Sequence, residues 1–94
     1  MDFTISPQIA ALRDRIARFV DQDVLPVEAD RSTWDPNENI GDGALQILRR
    51  KARQEGLWCL QLSPEGGGLG FSKVGRAVCY EAMNRSIFGP VVFN

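Results

Sequence analysis

The chain has 94 residues, of which 44% are hydrophobic and 24% are charged, and its formal net charge is −1. This ordinary globular composition predicts one small folded domain and excludes an intrinsically disordered chain. The near-neutral charge gives no electrostatic reason to expect nucleic acid or an anionic membrane as a partner, and no apolar run reaches the roughly 20 residues that span a bilayer.

The N-terminal part of the chain predicts an amphipathic helix from about residue 7 to residue 25. The residues before it lack the basic start and apolar centre of a signal peptide, so we expect a cytoplasmic protein. Ser6 is a suitable N-cap, and Pro7 is tolerated at the first helical position. Apolar residues then recur at helical spacing, namely Ile9, Leu12, Ile16, Phe19 and Val20. Pro26 is expected to end the helix, because the residue before a proline avoids helical geometry.

Residues 26–41 predict a polar connection, in which Trp34 is expected to fold back over the edge of the core. A second helix is expected to begin near Asp42, with Asp42 as its cap and an inner stripe of Ala44, Leu45, Leu48 and Ala52. Gly56 suits the left-handed position that follows a helix, and Leu57 suits the apolar contact that accompanies it. The basic residues near the end of this helix, Arg49, Arg50, Lys51 and Arg53, indicate a solvated face and not a nucleic-acid site, because no aromatic residues lie between them.

Residues 56–70 form a glycine-rich stretch between two helical patterns. One interpretation is a packing loop, and the other is a phosphate site at the start of the next helix. The stretch lacks both a Gly-Lys-Ser/Thr ending and a Gly-x-Gly-x-x-Gly pattern, which favours the packing loop.

A third helix is predicted from about residue 73 to residue 85, capped by Ser72. Its apolar stripe is expected to contain Val74, Ala77, Val78, Ala82 and Met83. Pro90 is the expected start of a further helix, in which the sequence reads as cut off because so few residues come after it. The expected fold is therefore all-α, a small up-down helical bundle that is incomplete in its fourth helix.

The chain contains no histidine and two cysteines, Cys59 and Cys79. Without histidine, it lacks the commonest general base and the commonest metal ligand. Two widely spaced cysteines do not form a zinc site, so we expect free thiols in apolar surroundings. From the residues alone, we expect no catalytic residue, no cofactor-binding residue and no metal ligand.

The order and spacing of several motifs resemble the N-terminal α-helical domain of the acyl-CoA dehydrogenases. Residues 13–26 resemble the family's first helix and its Phe-x-x-x-x-Val/Ile-x-Pro ending. Residues 48–57 resemble the second helix, residues 64–70 the Pro-Glu-x-x-Gly-Gly-x-Gly loop, and residues 78–85 the Glu-x-x-x-Arg helix after it. The loop is shorter here and has glycine after the Pro-Glu pair, where many members carry a bulky residue. Residues 84–90 are most similar to the branch that acts on long or unusual acyl chains.

This resemblance covers nearly the whole chain and implies a homo-oligomeric flavoprotein of fatty acid metabolism. Such an oxidoreductase removes a proton from Cα of an acyl-CoA thioester and transfers a hydride from Cβ to FAD. The family's catalytic glutamate and flavin ligands belong to later domains, so the resemblance implies that residues 1–94 are inactive alone and bind no cofactor. It implies that the remaining domains of the same enzyme are the partners. It also implies that Pro90, Val91 and Phe93 belong to a region that can line the acyl-chain cavity, with burial in the helical bundle as the alternative role of each residue.

Two other functions stay open at this point. The chain could be a free-standing helical interaction or oligomerisation module that binds a partner through the surface that the other domains would cover. It could also be the N-terminal part of a flavin oxidase or monooxygenase of the same fold. A reading frame that continues past residue 94 would support an enzyme, whereas a stop there would support the module.

Overall fold

Short helices dominate the computed structural model, which describes residues 6–57 and 73–93. The helices are α1 (Pro7–Phe19), α2 (Leu25–Ala29), α3 (Asp42–Gln54), α4 (Lys73–Met83) and α5 (Gly89–Val92). A π-helical turn, Val20–Val24, joins α1 to α2, and a 3-10 turn, Arg31–Thr33, comes after α2. The β-structure in the described residues is one isolated bridge between Trp34 and Ile40. The all-α prediction is therefore confirmed.

Helix α1 begins where the sequence predicts. The hydroxyl of Ser6 accepts a hydrogen bond from the backbone N–H of Ile9, with an N to Oγ distance of 3.2 Å. Pro7 occupies the first helical position, where its missing N–H leaves no hydrogen bond unmade.

The prediction that Pro26 ends the first helix is wrong. The helical path passes through the π turn, in which the N–H of Leu25 donates to the carbonyl of Val20, and continues to Ala29. The π turn changes the hydrogen-bonding register just before the proline, and Pro26 then lies in the first turn of α2. A first-turn position tolerates a residue without an N–H, so the helical geometry continues through Pro26.

Helix α3 begins at the predicted residue, but Asp42 does not cap it. The N-cap is Gly41, which makes no side-chain capping bond, and Asp42 is the first helical residue. A Cβ atom on Gly41 would lie 2.7 Å from the carbonyl oxygen of Thr33. The close approach of these two backbone segments therefore requires glycine, and Asp42 contributes only as an acidic residue in the first turn.

The predicted end of α3 is confirmed. Gly56 has a φ of +73°. The N–H of Gly56 donates to the carbonyl of Arg53 at 3.1 Å, and the N–H of Leu57 donates to that of Ala52 at 2.8 Å. These two bonds form a Schellman motif, and the side chain of Leu57 is buried beside it.

The core forms where α1 and the π turn meet α3, α4 and α5. The buried hydrophobic residues of the described part are Ile16, Phe19, Val20, Val24, Ile40, Leu48, Ala52, Leu57, Cys79, Ala82, Met83, Phe88, Val92 and Phe93. Helix α1 packs mainly against α4.

The apolar stripe predicted for α4 is only partly right. Ala82 and Met83 are buried as expected, but Ala77 is exposed, and the buried side continues instead through Cys79 and Gly75. The side chain of Val74 lies outside the described residues, as do Cys59, the glycine-rich loop and the predicted cap Ser72.

Two glycine substitutions test the assigned conformation of α3. Gly56→Ala should lower the free energy of unfolding by about 1–2 kcal/mol, because Cβ disfavours the left-handed conformation. Gly43→Ala is the matched control, since a Cβ there meets nothing within 4 Å. Gly43→Ala should raise the free energy of unfolding by about 0.5 kcal/mol, because alanine has a higher helix propensity than glycine. Urea unfolding followed by circular dichroism measures both, and an unchanged stability for Gly56→Ala would contradict the assigned conformation.

Candidate functional site

Helix α5 and the residue after it are the segment predicted to line an acyl-chain cavity. Its Pro90 is half-buried, and the side chain of Val91 is 42% exposed. Phe93, just after α5, is fully buried, and its ring centroid lies 5.5 Å from that of Phe19 in an edge-to-face arrangement. The structure thus places Val91 at the surface and Phe93 in the core, and the cavity role of the three residues stays a prediction.

The turn between α4 and α5 is fastened to α2 by one carboxylate. Oε1 of Glu28 accepts a hydrogen bond from the hydroxyl of Ser86 at 2.9 Å and another from the backbone N–H of Ile87 at 2.9 Å. Oγ of the buried Ser86 in turn accepts from the N–H of Phe88 at 3.1 Å. We call Glu28, Ser86 and Ile87 the α5 clamp.

Trp34 folds back over the core edge, as predicted. Its indole Nε1 donates to the backbone carbonyl of Glu28 at 2.9 Å, and its ring lies edge-to-face on Phe88 at a centroid distance of 4.9 Å. The guanidinium of Arg31 covers the same ring, 4.0 Å from its centroid. Trp34 therefore contacts both sides of the clamp, the α2 end through Glu28 and the α5 end through Phe88.

Gly89 allows the tight turn that starts α5. Its N–H donates to the carbonyl of Ser86 at 3.0 Å. A Cβ atom at this position would overlap the backbone carbonyl of Met83. Only glycine permits this approach, so the start of α5 is set by a backbone contact with the end of α4.

Arg49 and Lys51 of the basic cluster in α3 contact other elements of the fold. Nε of Arg49 donates to the backbone carbonyl of Val91 at 3.1 Å, which ties α3 to α5. Nζ of Lys51 lies 3.2 Å from a carboxylate oxygen of Asp23 in the π turn. The cluster thus contributes to the contacts between helices within the bundle.

A surface groove of about 450 Å³ lies between α1 and α4. Its lining residues are Arg13, Asp14, Ala17, Val78, Glu81, Ala82 and Arg85. Arg85 also forms a two-point ion pair with Asp21, with both N to O distances at 2.9 Å. Because both partners are substantially exposed, this pair adds at most about 1 kcal/mol of stability.

Two side chains in the described residues have displaced pKa values with clear causes. Burial raises the pKa of the Cys79 thiol, and the nearby positive charge of Arg13 only partly offsets this. Hydrogen bonds from the hydroxyl and the N–H of Ser32 lower the pKa of Asp30. Neither group lies beside a second reactive side chain in a cavity, so neither forms a catalytic set. No group of three or more potential metal ligands occurs within residues 6–57 and 73–93.

Comparison with known protein families matches residues 6–93 to the family described as "Acyl-CoA dehydrogenase, N-terminal domain". The chain belongs to the acyl-CoA dehydrogenase family. The match runs from the N-cap of α1 to Phe93, so it includes the α5 clamp and the helix that the clamp holds.

Two curated acyl-CoA dehydrogenases are similar to this chain. Acyl-CoA dehydrogenase family member 10 of Mus musculus is 31% identical over 102 aligned residues, which cover 96% of this chain and 9% of that protein. Probable acyl-CoA dehydrogenase FadE2 of Mycobacterium tuberculosis (strain ATCC 25618 / H37Rv) is 34% identical over 71 residues, covering 71% of this chain and 17% of that protein. The chain therefore spans a small part of the length of both relatives. No solved structure gave a significant match.

The groove between α1 and α4 does not suit the flavin that acyl-CoA dehydrogenases imply. A flavin ring needs an extended apolar slot, whereas Arg13, Asp14, Glu81 and Arg85 bring charges of both signs into this groove. Within the described residues, no helix has the length and apolar character that crossing a bilayer requires.

Cys79 should react slowly with iodoacetamide in the folded protein, because it is buried and its raised pKa keeps it protonated. In a Cys59→Ser background at pH 8.5, we expect a rate about tenfold or more below that of the urea-unfolded chain. The matched control is Ala77→Cys with Cys79→Ala and Cys59→Ser, whose exposed thiol on the same helix should react at a nearly ordinary rate. Equal rates at the two positions would contradict the burial of Cys79.

The same burial predicts a loss of stability at high pH. Below the ordinary thiol pKa, both the folded and unfolded states keep the proton, and Cys79 contributes no pH dependence. As the pH rises above that value, the unfolded chain releases the proton first, so the free energy of unfolding falls. Urea unfolding across this pH range should show a smaller decline in the free energy of unfolding for Cys79→Ala than for the wild type. An identical decline in both proteins would contradict the raised pKa of Cys79.

Proposed function

We propose that this chain is the N-terminal helical domain of an FAD-dependent acyl-CoA dehydrogenase and that α5 forms part of the wall of its acyl-chain cavity. The family match over residues 6–93 carries the proposal. The enzyme would oxidise the Cα–Cβ bond of an acyl-CoA thioester, with FAD held by the other domains of the same protein. On this proposal the parent is a homo-oligomer, and residues 1–94 have no activity alone.

The role of this chain in the reaction is to bind the acyl chain and to shape its cavity, and not to supply a reacting group. The family match covers the N-terminal domain alone, so the base is proposed to come from another domain of the same protein. An apolar acyl chain is bound by apolar side chains that exclude water. Val91 suits this role, since it is a large hydrophobic residue that keeps 42% of its surface exposed.

A free-standing interaction module is the second candidate function. Ile47, Ile87 and Val91 are large hydrophobic residues that stay exposed, as a docking surface would require. The extent of the reading frame separates the two candidates, because the dehydrogenase needs further domains after residue 94 and the module does not. A flavin oxidase or monooxygenase of the same fold would be recognised by its use of oxygen as electron acceptor.

The full-length protein should reduce an artificial electron acceptor in the presence of an acyl-CoA. Val91→Phe should then lower kcat/KM for the longest accepted acyl chain by about tenfold, with a smaller effect on short chains, because the added volume narrows the cavity. Ile47→Phe is the matched control on the exposed face of α3, and its acyl-chain profile should stay unchanged.

Two results would contradict the proposal. A full-length protein that binds FAD but oxidises no acyl-CoA would overturn the assigned reaction. A Val91→Phe enzyme with an unchanged chain-length profile would remove α5 from the cavity wall while leaving the reaction in place.

A further inference from the structure

We propose that Glu28 is a positioning residue for the acyl-chain cavity: through Ser86 and Ile87 it holds α5 in place and so sets the acyl-chain preference of the enzyme. This inference rests on the proposed function, because it needs α5 to form part of the cavity wall. It goes beyond that function by assigning substrate preference to a side chain that lies on a different helix from the wall.

Helix α5 cannot hold itself in place. It contains four residues, Gly89–Val92, which is about one helical turn. The first turn of a helix fixes several residues for a single hydrogen bond, so an isolated turn is unstable in water. The position of Val91 must therefore be set by contacts from other parts of the chain.

The Glu28 carboxylate meets the α4–α5 turn at two points. One oxygen accepts from both the Ser86 hydroxyl and the Ile87 N–H, each at 2.9 Å. These donors belong to adjacent residues, so the pair of bonds fixes the direction of the backbone as well as its distance from α2. Hydrogen bonds to a charged acceptor are stronger than those between neutral groups.

The clamp continues from Ser86 toward α5. Ser86 is buried, and its hydroxyl oxygen also accepts from the N–H of Phe88, the N-cap residue of α5. The chain of bonds thus runs from α2 through one hydroxyl to the residue that starts α5. The loss of the Glu28 carboxylate would leave the Ser86 hydroxyl and the Ile87 N–H without this acceptor, and α5 would move relative to the core.

The backbone of Glu28 is itself held by its neighbours. Its carbonyl accepts from the Trp34 indole at 2.9 Å, and the Trp34 ring packs on Phe88. In addition, the Thr33 hydroxyl donates to the carbonyl of Val27 at 2.7 Å. The backbone that carries Glu28 is therefore held in place, which is required of a residue that positions another element.

The experiment compares Glu28→Ala and Glu28→Gln in the full-length protein. Glu28→Ala removes both acceptor contacts, whereas the glutamine oxygen can still accept them. Each variant is assayed for kcat and KM over a series of saturated acyl-CoA chain lengths, for FAD content, and for amide hydrogen exchange of peptides covering residues 84–93. Glu38→Gln is the matched control, because Glu38 is exposed and lies in the loop between the 3-10 turn and α3.

We expect three results together. For Glu28→Ala, the ratio of kcat/KM between the preferred and shorter acyl chains falls about tenfold, mainly through KM, while kcat on short chains and FAD content stay near wild type. Amide exchange over residues 84–93 rises by about tenfold. Glu28→Gln keeps most of the wild-type chain-length preference and most of the wild-type protection from exchange. Glu38→Gln changes neither quantity.

Other outcomes overturn the proposal in distinguishable ways. Faster exchange with an unchanged chain-length profile means that the clamp is structural and does not set preference, and the proposed function stands. Unchanged exchange means that Glu28 does not hold α5. If the wild-type enzyme binds FAD but oxidises no acyl-CoA, the proposed function fails and the substrate role of Glu28 fails with it. If Glu28→Ala does not fold, Ser86→Ala carries the test with the same three readouts, since it removes one donor to Glu28 together with the acceptor for the Phe88 N–H.

Discussion

A helix of four residues depends on contacts from outside itself, and this constraint governs α5, the segment that we propose lines the acyl-chain cavity. Helix α5 is held from four directions. The Glu28 carboxylate binds the turn before it, and the Arg49 side chain donates to the carbonyl of Val91 at 3.1 Å. Gly89 packs against the end of α4, and Phe93 places its ring on Phe19 of α1. The position of Val91 therefore depends on residues from α1, α2, α3 and α4.

The π turn between α1 and α2 makes this arrangement possible. It carries Asp21 and Asp23, which pair with Arg85 after α4 and Lys51 on α3, and its Val20 and Val24 stay buried. The turn leads into α2 with Pro26 in the first helical turn. Removing one residue here would rotate α2 by about 100° around the helix axis and would turn Glu28 away from Ser86. π turns often occur at functional sites, and in this chain the turn leads into the helix that carries Glu28, the proposed positioning residue.

Local signals in the sequence predict much of the fold. The cap at Ser6, the left-handed Gly56 and the start of α3 depend on a few neighbouring residues, and the structure confirms them. Predictions that depend on tertiary packing are less successful, as at Pro26, Ala77 and the cap of α3. The residues of the candidate site are harder still to predict from the sequence. Pro90, Val91 and Phe93 come from family resemblance, and no periodic pattern marks Glu28, because its partners, Ser86 and Ile87, are far away in the sequence.

The most direct test of the cavity-wall assignment is photo-crosslinking from α5 to the acyl chain in the full-length enzyme. Photo-leucine, whose diazirine side chain is close to that of valine in size, would replace Val91 and would be irradiated with a long-chain acyl-CoA bound, and the same residue in place of Ile47 would serve as the control. We predict a crosslink to the acyl chain from position 91 and none from position 47, with loss of the crosslink when an excess of non-photoreactive enzyme competes for the substrate. An active enzyme that gives no crosslink from position 91, or equal crosslinks from both positions, would contradict the assignment of α5 to the cavity wall.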